Sequence, residues 1–158
     1  MLAGRIFPTA RAAGVPPIDI VMMGNADGSR VWFDPVGVLI RPGDTLRWIN
    51  RNAANSHTST AYHPANNDHP LRIPPAAVPW NSDYLLPDQA FSLTLSVAGV
   101  YDYYCVPHEH AGMVGRIVVM GEGDLVPEAA AGQPVPELES DPFPTVSTIV
   151  RDGLVRRR

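Results

Sequence analysis

Cysteine is nearly missing from this chain: Cys105 is the only one in 158 residues. A single thiol excludes an intrachain disulfide, so cysteine usage says nothing of the redox compartment. Charge is also sparse, at 18% of residues against about 25% in an average globular domain. Net charge is −4 and the pI near 5.6, so the basic footprint of a nucleic-acid binder is absent. The one cationic run, Arg156-Arg157-Arg158, reads as a solvated tail. No stretch approaches the ~18 apolar residues of a membrane-spanning helix. Residues Met1 to Gly14 carry Arg5 and Arg11 and lack a continuous apolar stretch, so they do not read as an intact secretory signal. Helical periodicity is missing from the first 120 residues, and there is no Ser-His-Asp order, phosphate-cradling glycine loop or paired-carboxylate motif.

What is present is a series of short apolar runs divided by Gly, Pro, Asn and Asp, the pattern of an all-β sandwich or barrel. Strands are expected at Ile18–Met23, Val31–Phe33, Val36–Ile40, Thr45–Asn50, Phe91–Val97, Gly99–Tyr104 and Val114–Met120. Thr45–Asn50 alternates, with Leu46, Trp48 and Asn50 on one face, and Phe91–Val97 alternates likewise. Each strand buries one face, as in a two-sheet sandwich. Trp32, Trp48, Tyr101, Tyr103 and Tyr104 are assigned to the core and the space between the sheets.

Between Ser59 and Leu86 the alternation stops, and a Pro/Asn-rich insertion begins. Its Ile73, Val78 and Trp80 suggest that it packs down on the sandwich, and its His63 and His69 are expected to be exposed. After Gly121 the composition turns to Ala, Pro and Glu, as in a linker or surface-clinging tail. Val146, Ile149 and Val150 then recur at helical spacing, with Thr145 or Ser147 as possible caps. The division expected is an N-terminal extension over 1–16, one domain over 17–121, and a linker and tail over 122–158 packed on that domain.

One stretch carries chemistry: Tyr101-Asp-Tyr-Tyr-Cys-Val-Pro-His-Glu-His-Ala-Gly-Met-Val-Gly115. It holds Cys105, His108 and Met113 within nine positions. A thiolate, an imidazole and a thioether are the soft and borderline donors of a mononuclear copper site, which a second histidine completes as His2Cys with a weak axial Met. Pro107 stiffens the turn, and Gly112 and Gly115 let the chain close again. The remote histidine is expected to be His57, seven residues beyond the strand Thr45–Asn50. Such a strand can run beside the one ending at Cys105 and deliver its loop to the same end of the sandwich.

These residues resemble the cupredoxin family, in particular its plastocyanin and pseudoazurin type. The resemblance covers roughly Val31 to Met120. It rests on Phe33-Asp-Pro-Val-Gly-Val-Leu-Ile-Arg-Pro-Gly-Asp-Thr-Leu-Arg-Trp-Ile-Asn50, on the upstream histidine, and on Gly99 through His108 with Gly112-Met-Val-Gly115. It implies an eight-stranded Greek-key sandwich with one type-1 copper ion held by His57, Cys105, His108 and Met113. His110 stands five residues after Cys105, as in azurin-type loops. Position 114, however, is valine instead of methionine, so His110 is expected behind the ligands or at the surface. Two departures stand out. Thr58 follows the first histidine where many members have asparagine, and Val106 after the cysteine offers no hydroxyl to tie the two ligand loops together.

The function implied is a one-electron carrier shuttling Cu(I)/Cu(II) between redox proteins through the imidazole edge of His108, and not an enzyme. The expected partners are cytochrome c or a copper- or haem-containing oxidoreductase, met through a small patch of Val106, Pro107, Ala111, Met113 and Val114. The resemblance further implies the bacterial periplasm or another extracytoplasmic space, and the chain is expected to be a monomer. The competing readings are copper storage, delivery or oxidase assembly, with His63, His69 and His110 as transit ligands; a fragment of a multicopper oxidase or nitrite reductase; and a merely buried Cys105 with zinc or no metal.

Overall fold

A computed structural model describes residues 14–130, 134–138 and 140–157. Most of the expected extension over 1–16, and part of the expected linker, lie outside the described residues. The order of elements is β1 (Ile18–Gly24), β2 (Val31–Asp34), β3 (Gly37–Ile40), β4 (Asp44–Asn50), β5 (Thr60–Ala61), β6 (Ala90–Leu95), β7 (Gly99–Tyr104), β8 (Val114–Val119), α1 (Val146–Asp152) and β9 (Leu154–Val155). A 3-10 turn, Val106–Ala111, joins β7 to β8. One sheet runs β2-β1-β4-β6 and the other β5-β7-β8-β3-β9. The expected all-β Greek-key sandwich is therefore present, with a ninth strand after the short terminal helix.

The hydrophobic pattern sets the faces. In β4, Leu46, Trp48 and Asn50 are fully buried, while Arg47 turns outward to a two-point ion pair with Asp19 at 2.8 and 2.9 Å. Trp48 lies at the centre, with the rings of Trp80, Phe91 and Tyr103 5.4–6.0 Å away. Burying one such indole contributes about 4–6 kcal/mol of gross hydrophobic free energy, at ~25 cal/mol per Å² over ~150–250 Å². In β6, Phe91 and Leu93 are only half-buried because that strand is the sheet edge. Trp32 departs from expectation. It points away from buried Val31 and Phe33 and is half-exposed, as the period-2 alternation of a strand requires.

Strands β7 and β8 are buried on both faces. Their outer face is covered by the insertion and the tail: Tyr62, Val135 and Phe143 pack on Tyr104 and Val114, and Ile149 packs on Val100 and Val118. Thr145 caps α1 by accepting the Thr148 N–H at 3.1 Å. Under the helix, a Cβ on Gly37 would come within 2.8 Å of Ile149, so only glycine allows this approach. Beneath Phe143, Asp102 is buried between Arg72 and Arg116, with oxygen–nitrogen distances of 2.7–3.0 Å. Ile73 and Trp80 of the insertion are buried as expected, but Val78 is 81% exposed. It directly follows the Pro74–Ala77 turn.

Candidate metal centre

The antiparallel register of β7 and β8 ends at the pair Tyr104 and Val114. Cys105 extends it by one rung, donating its N–H to the Met113 carbonyl at 3.0 Å. The chain then winds through the 3-10 turn, with Pro107 at its start and the His108 N–H on the Cys105 carbonyl at 3.1 Å. Gly112 reverses the chain at φ +78°, where a side chain would be strained. The turn brings His108 Nδ1 to 3.6 Å from Cys105 Sγ and leaves the ring half-buried.

His57 arrives from the loop after β4. Its backbone pairs with Leu85 in both directions, at 3.2 and 2.8 Å, and its Nδ1 lies 3.5 Å from Cys105 Sγ. The two imidazole centroids are 4.8 Å apart. Asparagines build this loop. Asn50 donates to the carbonyls of Asn55 and Leu85 and accepts the Asn52 N–H. Asn52 donates to the Gly24 carbonyl at 3.0 Å, which turns its Oδ1 toward His57 Nε2 at 2.9 Å. That oxygen can only accept, so Nε2 carries the ring proton and Nδ1 faces the sulfur as a lone pair. Gly24 is required beneath it, since a Cβ there would lie 2.6 Å from Asn52 Oδ1.

Burial, together with the nearby His108, pulls His57 down to about 4, and burial lowers His108 as well. Both rings are therefore neutral near pH 7, the form that ligates metal. Burial pushes the Cys105 thiol up to about 12 despite the Thr58 N–H aimed at its sulfur at 3.3 Å. A metal in the cage would displace that proton and bind the thiolate. The donor spacing fits: nitrogen and sulfur bonds of about 2.0–2.3 Å at roughly tetrahedral to trigonal angles separate N from S by about 3.5–3.8 Å. Two imidazoles and one thiolate suit copper.

The loop tie takes a different route from the one expected. Val106 has no hydroxyl, but Thr58 supplies one: its Oγ1 accepts the Val106 N–H at 2.9 Å and lies 2.9 Å from Thr60 Oγ1. One threonine thus bonds the sulfur through its N–H and the ligand loop through its side chain.

Met113 is fully buried in the same core cluster as Cys105, and its N–H meets the His108 carbonyl at 3.2 Å. His110 is exposed on the turn, and His63 is half-buried with its Nδ1 accepting the Ala65 N–H. His69, expected at the surface, is buried. It stacks on Tyr104 at 4.4 Å and bonds to Glu109, which is also buried. Burial pulls His69 down, but hydrogen bonding and charge from Glu109 outweigh it and hold the group above its ordinary value. Sequence reasoning missed Asn52, Glu109 and the threonine tie. Three asparagines in six positions ahead of His57 were the available signal for the first, since side-chain amides commonly bridge backbone groups in loops; a lone Glu between two histidines carries none.

Residues 20–120 match the family described as copper binding proteins, plastocyanin/azurin family. A plastocyanin of Scenedesmus fuscus is 33% identical over 102 residues, covering 64% of this chain and 99% of that protein. A chloroplastic plastocyanin of Chlamydomonas reinhardtii is 35% identical over 102 residues, covering 64% of this chain and 67% of that one. Among solved structures, a pseudoazurin from Sinorhizobium meliltoi aligns with a TM-score of 0.50 at 29% identity, covering 68% of this chain and 76% of the other.

Proposed function

The chain belongs to the plastocyanin/azurin family of copper-binding proteins, and from that premise we propose that it carries single electrons between redox proteins, with copper held by His57, Cys105, His108 and Met113. Bound copper, alternating between Cu(I) and Cu(II), supplies the one-electron chemistry. The observation that carries this reading is the prepared cage: two neutral imidazoles turn their Nδ1 atoms to one buried sulfur at 3.5 and 3.6 Å. A frame held by the Asn50, Asn52 and Thr58 hydrogen bonds resists the geometric change that separates the two copper states, which favours a carrier over a delivery protein that must let its metal go.

The protein's own residues divide the remaining work. Asn52 fixes the His57 tautomer, and Thr58 holds the two ligand loops together and hydrogen-bonds the sulfur. His108 faces the surface beside exposed Pro107, His110 and Ala111, and is the expected place of approach for a partner. A groove next to it is lined by Arg30, Trp32, Ala111 and Arg157, among others, and presents two cations to an acidic partner surface. Such a partner is a cytochrome c or a copper- or haem-containing oxidoreductase, met transiently by a monomer outside the cytoplasm, as in a bacterial periplasm. No helix among the described residues is long and apolar enough to cross a membrane.

The test is spectroscopic. Cu(II) added to the purified protein should give an intense thiolate-to-copper band in the visible, absent from Cys105→Ser and from His57→Gln. Rapid electron self-exchange without loss of copper to a metal-free acceptor supports the carrier. No band, or a band that survives Cys105→Ser, overturns the ligand set, and ready transfer of the metal overturns the carrier.

A further inference from the structure

A second group of donor atoms converges on the outer face of the five-stranded sheet. His69 comes from the insertion, Glu109 from the turn between Cys105 and Met113, and Glu137 from the tail; their ligand atoms all lie within 4.8 Å of one another. His69 Nε2 is 2.9 and 3.2 Å from the two oxygens of Glu109 and 3.9 Å from Oε2 of Glu137. Three segments far apart in sequence thus aim one imidazole and two carboxylates at a common point.

The imidazole is oriented as a ligand would be. His69 Nδ1 faces the main-chain carbonyls of Asn66 and Asn67, each at 3.1 Å. Carbonyls only accept, so Nδ1 carries a proton and Nε2 is the atom presented to the carboxylates. Metal-ligating histidines are commonly held in this way, through the nitrogen that does not bind metal. Glu109 is fixed too, with Tyr62 donating its hydroxyl to Oε1 at 2.7 Å. Glu137 is the unfinished part: its Oε2 is buried and has no hydrogen-bond partner among the described residues.

Charge decides what fits. With His69 neutral, the cluster carries −2, and its Nε2 lone pair confronts carboxylate oxygens. A proton on Nε2 offsets one charge and leaves Glu137 Oε2 unpartnered, whereas a divalent cation offsets both and gives that oxygen a bond. Bonds of about 2.0–2.2 Å at angles near 90–110° place neighbouring ligand atoms about 2.8–3.6 Å apart. Measured from His69 Nε2, 2.9 and 3.2 Å fall in this range and 3.9 Å lies just beyond it, so metal binding would draw Glu137 inward. Hence we propose that His69, Glu109 and Glu137 form a second metal site, for a divalent cation of the Zn²⁺ class. The absence of a thiolate separates its preference from that of the Cys105 cage. The ion clasps insertion, ligand turn and tail together.

Zinc sulfate is the probe, titrated by calorimetry and by dialysis with metal analysis into wild type, Glu137→Gln and His69→Gln. Each is measured with copper first loaded into the Cys105 cage, occupancy being read from its visible band, and again without copper. Glu137 is partly exposed and makes no hydrogen bond through the buried oxygen, so Glu137→Gln should keep the fold, checked by circular dichroism. With or without copper, wild type should bind one zinc ion more than Glu137→Gln, or bind it at least tenfold more tightly, and His69→Gln should show the same loss. Equal zinc binding by wild type and Glu137→Gln in both states overturns the site. So does the absence of an additional ion at millimolar zinc, with an imidazole NMR titration showing His69 doubly protonated at neutral pH. A missing copper band with the zinc difference intact would instead sink the reading of the Cys105 cage.

Discussion

Acid should weaken the metal-free protein, and His57 should carry the larger part of the loss. His57 is fully buried, and its folded-state value of about 4 lies below the ordinary 6.5 because burial, and then His108, disfavour the imidazolium. The folded state therefore refuses a proton that the unfolded chain accepts. That contribution to stability is intact above 6.5 and is lost as the pH falls toward 4. The gap of 6.5 − 4 = 2.5 units, at ~1.36 kcal/mol per unit, amounts to on the order of 3 kcal/mol, a large part of a typical ~5–15 kcal/mol. His108 is lowered too and acts in the same sense. His69 is raised, so its contribution is complete below 6.5, is lost only as the pH rises through its folded value, and does not enter this window. Urea unfolding of metal-free wild type and His57→Gln across the same range reads the effect. Wild type should lose stability steeply and His57→Gln much less, since an amide takes up no proton. Copper should protect wild type until the pH is low enough to eject the metal. A flat wild-type profile, or the same slope in both proteins, would refute the argument.

Asn52→Leu removes the acceptor that fixes the His57 tautomer and should lower copper affinity about 10–100-fold, measured by competition with a chelator. Thr58→Val leaves the Val106 N–H without its acceptor and should cost about 1–3 kcal/mol in urea unfolding, while Thr58→Ser should restore most of it. Gly115→Ala drives a methyl into the Tyr103 ring, an overpacking that should cost about 1–3 kcal/mol or more and lower the melting temperature. Asp102→Asn leaves Arg72 and Arg116 facing a neutral amide in a buried setting and should cost about 3–5 kcal/mol, with a reduced urea midpoint as the readout.

What could be read from the sequence was what is local. Cys105, His108 and Met113 stand out because they fall within nine positions around one turn, and the alternation in β4 shows which face of Trp48 is buried. The route expected for His57 needs correcting: β4 lies in the opposite sheet from β7, not beside it, and the loop after β4 reaches Cys105 Sγ across the sandwich. The rest depends on partners far along the chain. Glu109 between two histidines resembles a solvated charge until Tyr62 and His69, 47 and 40 residues away, close over it. Thr58 meets Val106 across 48 residues, so a tie sought at the residue after the cysteine was found on the opposite loop. Val78 and Trp32 show the converse: apolar character alone does not decide burial when a turn or an outward strand position sets the direction.

The turn between β1 and β2 bears on how fast electrons could pass. Gly28 sits there at φ +72°, and a Cβ on it would lie 3.5 Å from His108 Nε2 and 3.4 Å from Asn55 Oδ1. The rim beside the outward edge of that imidazole is thus bare backbone, on an element that supplies no copper ligand. A side chain at Gly28 would strain the turn and crowd the outward edge of the His108 ring, so glycine leaves that edge open to an approaching protein. On the proposed function, glycine at this one position keeps a partner's approach to His108 short.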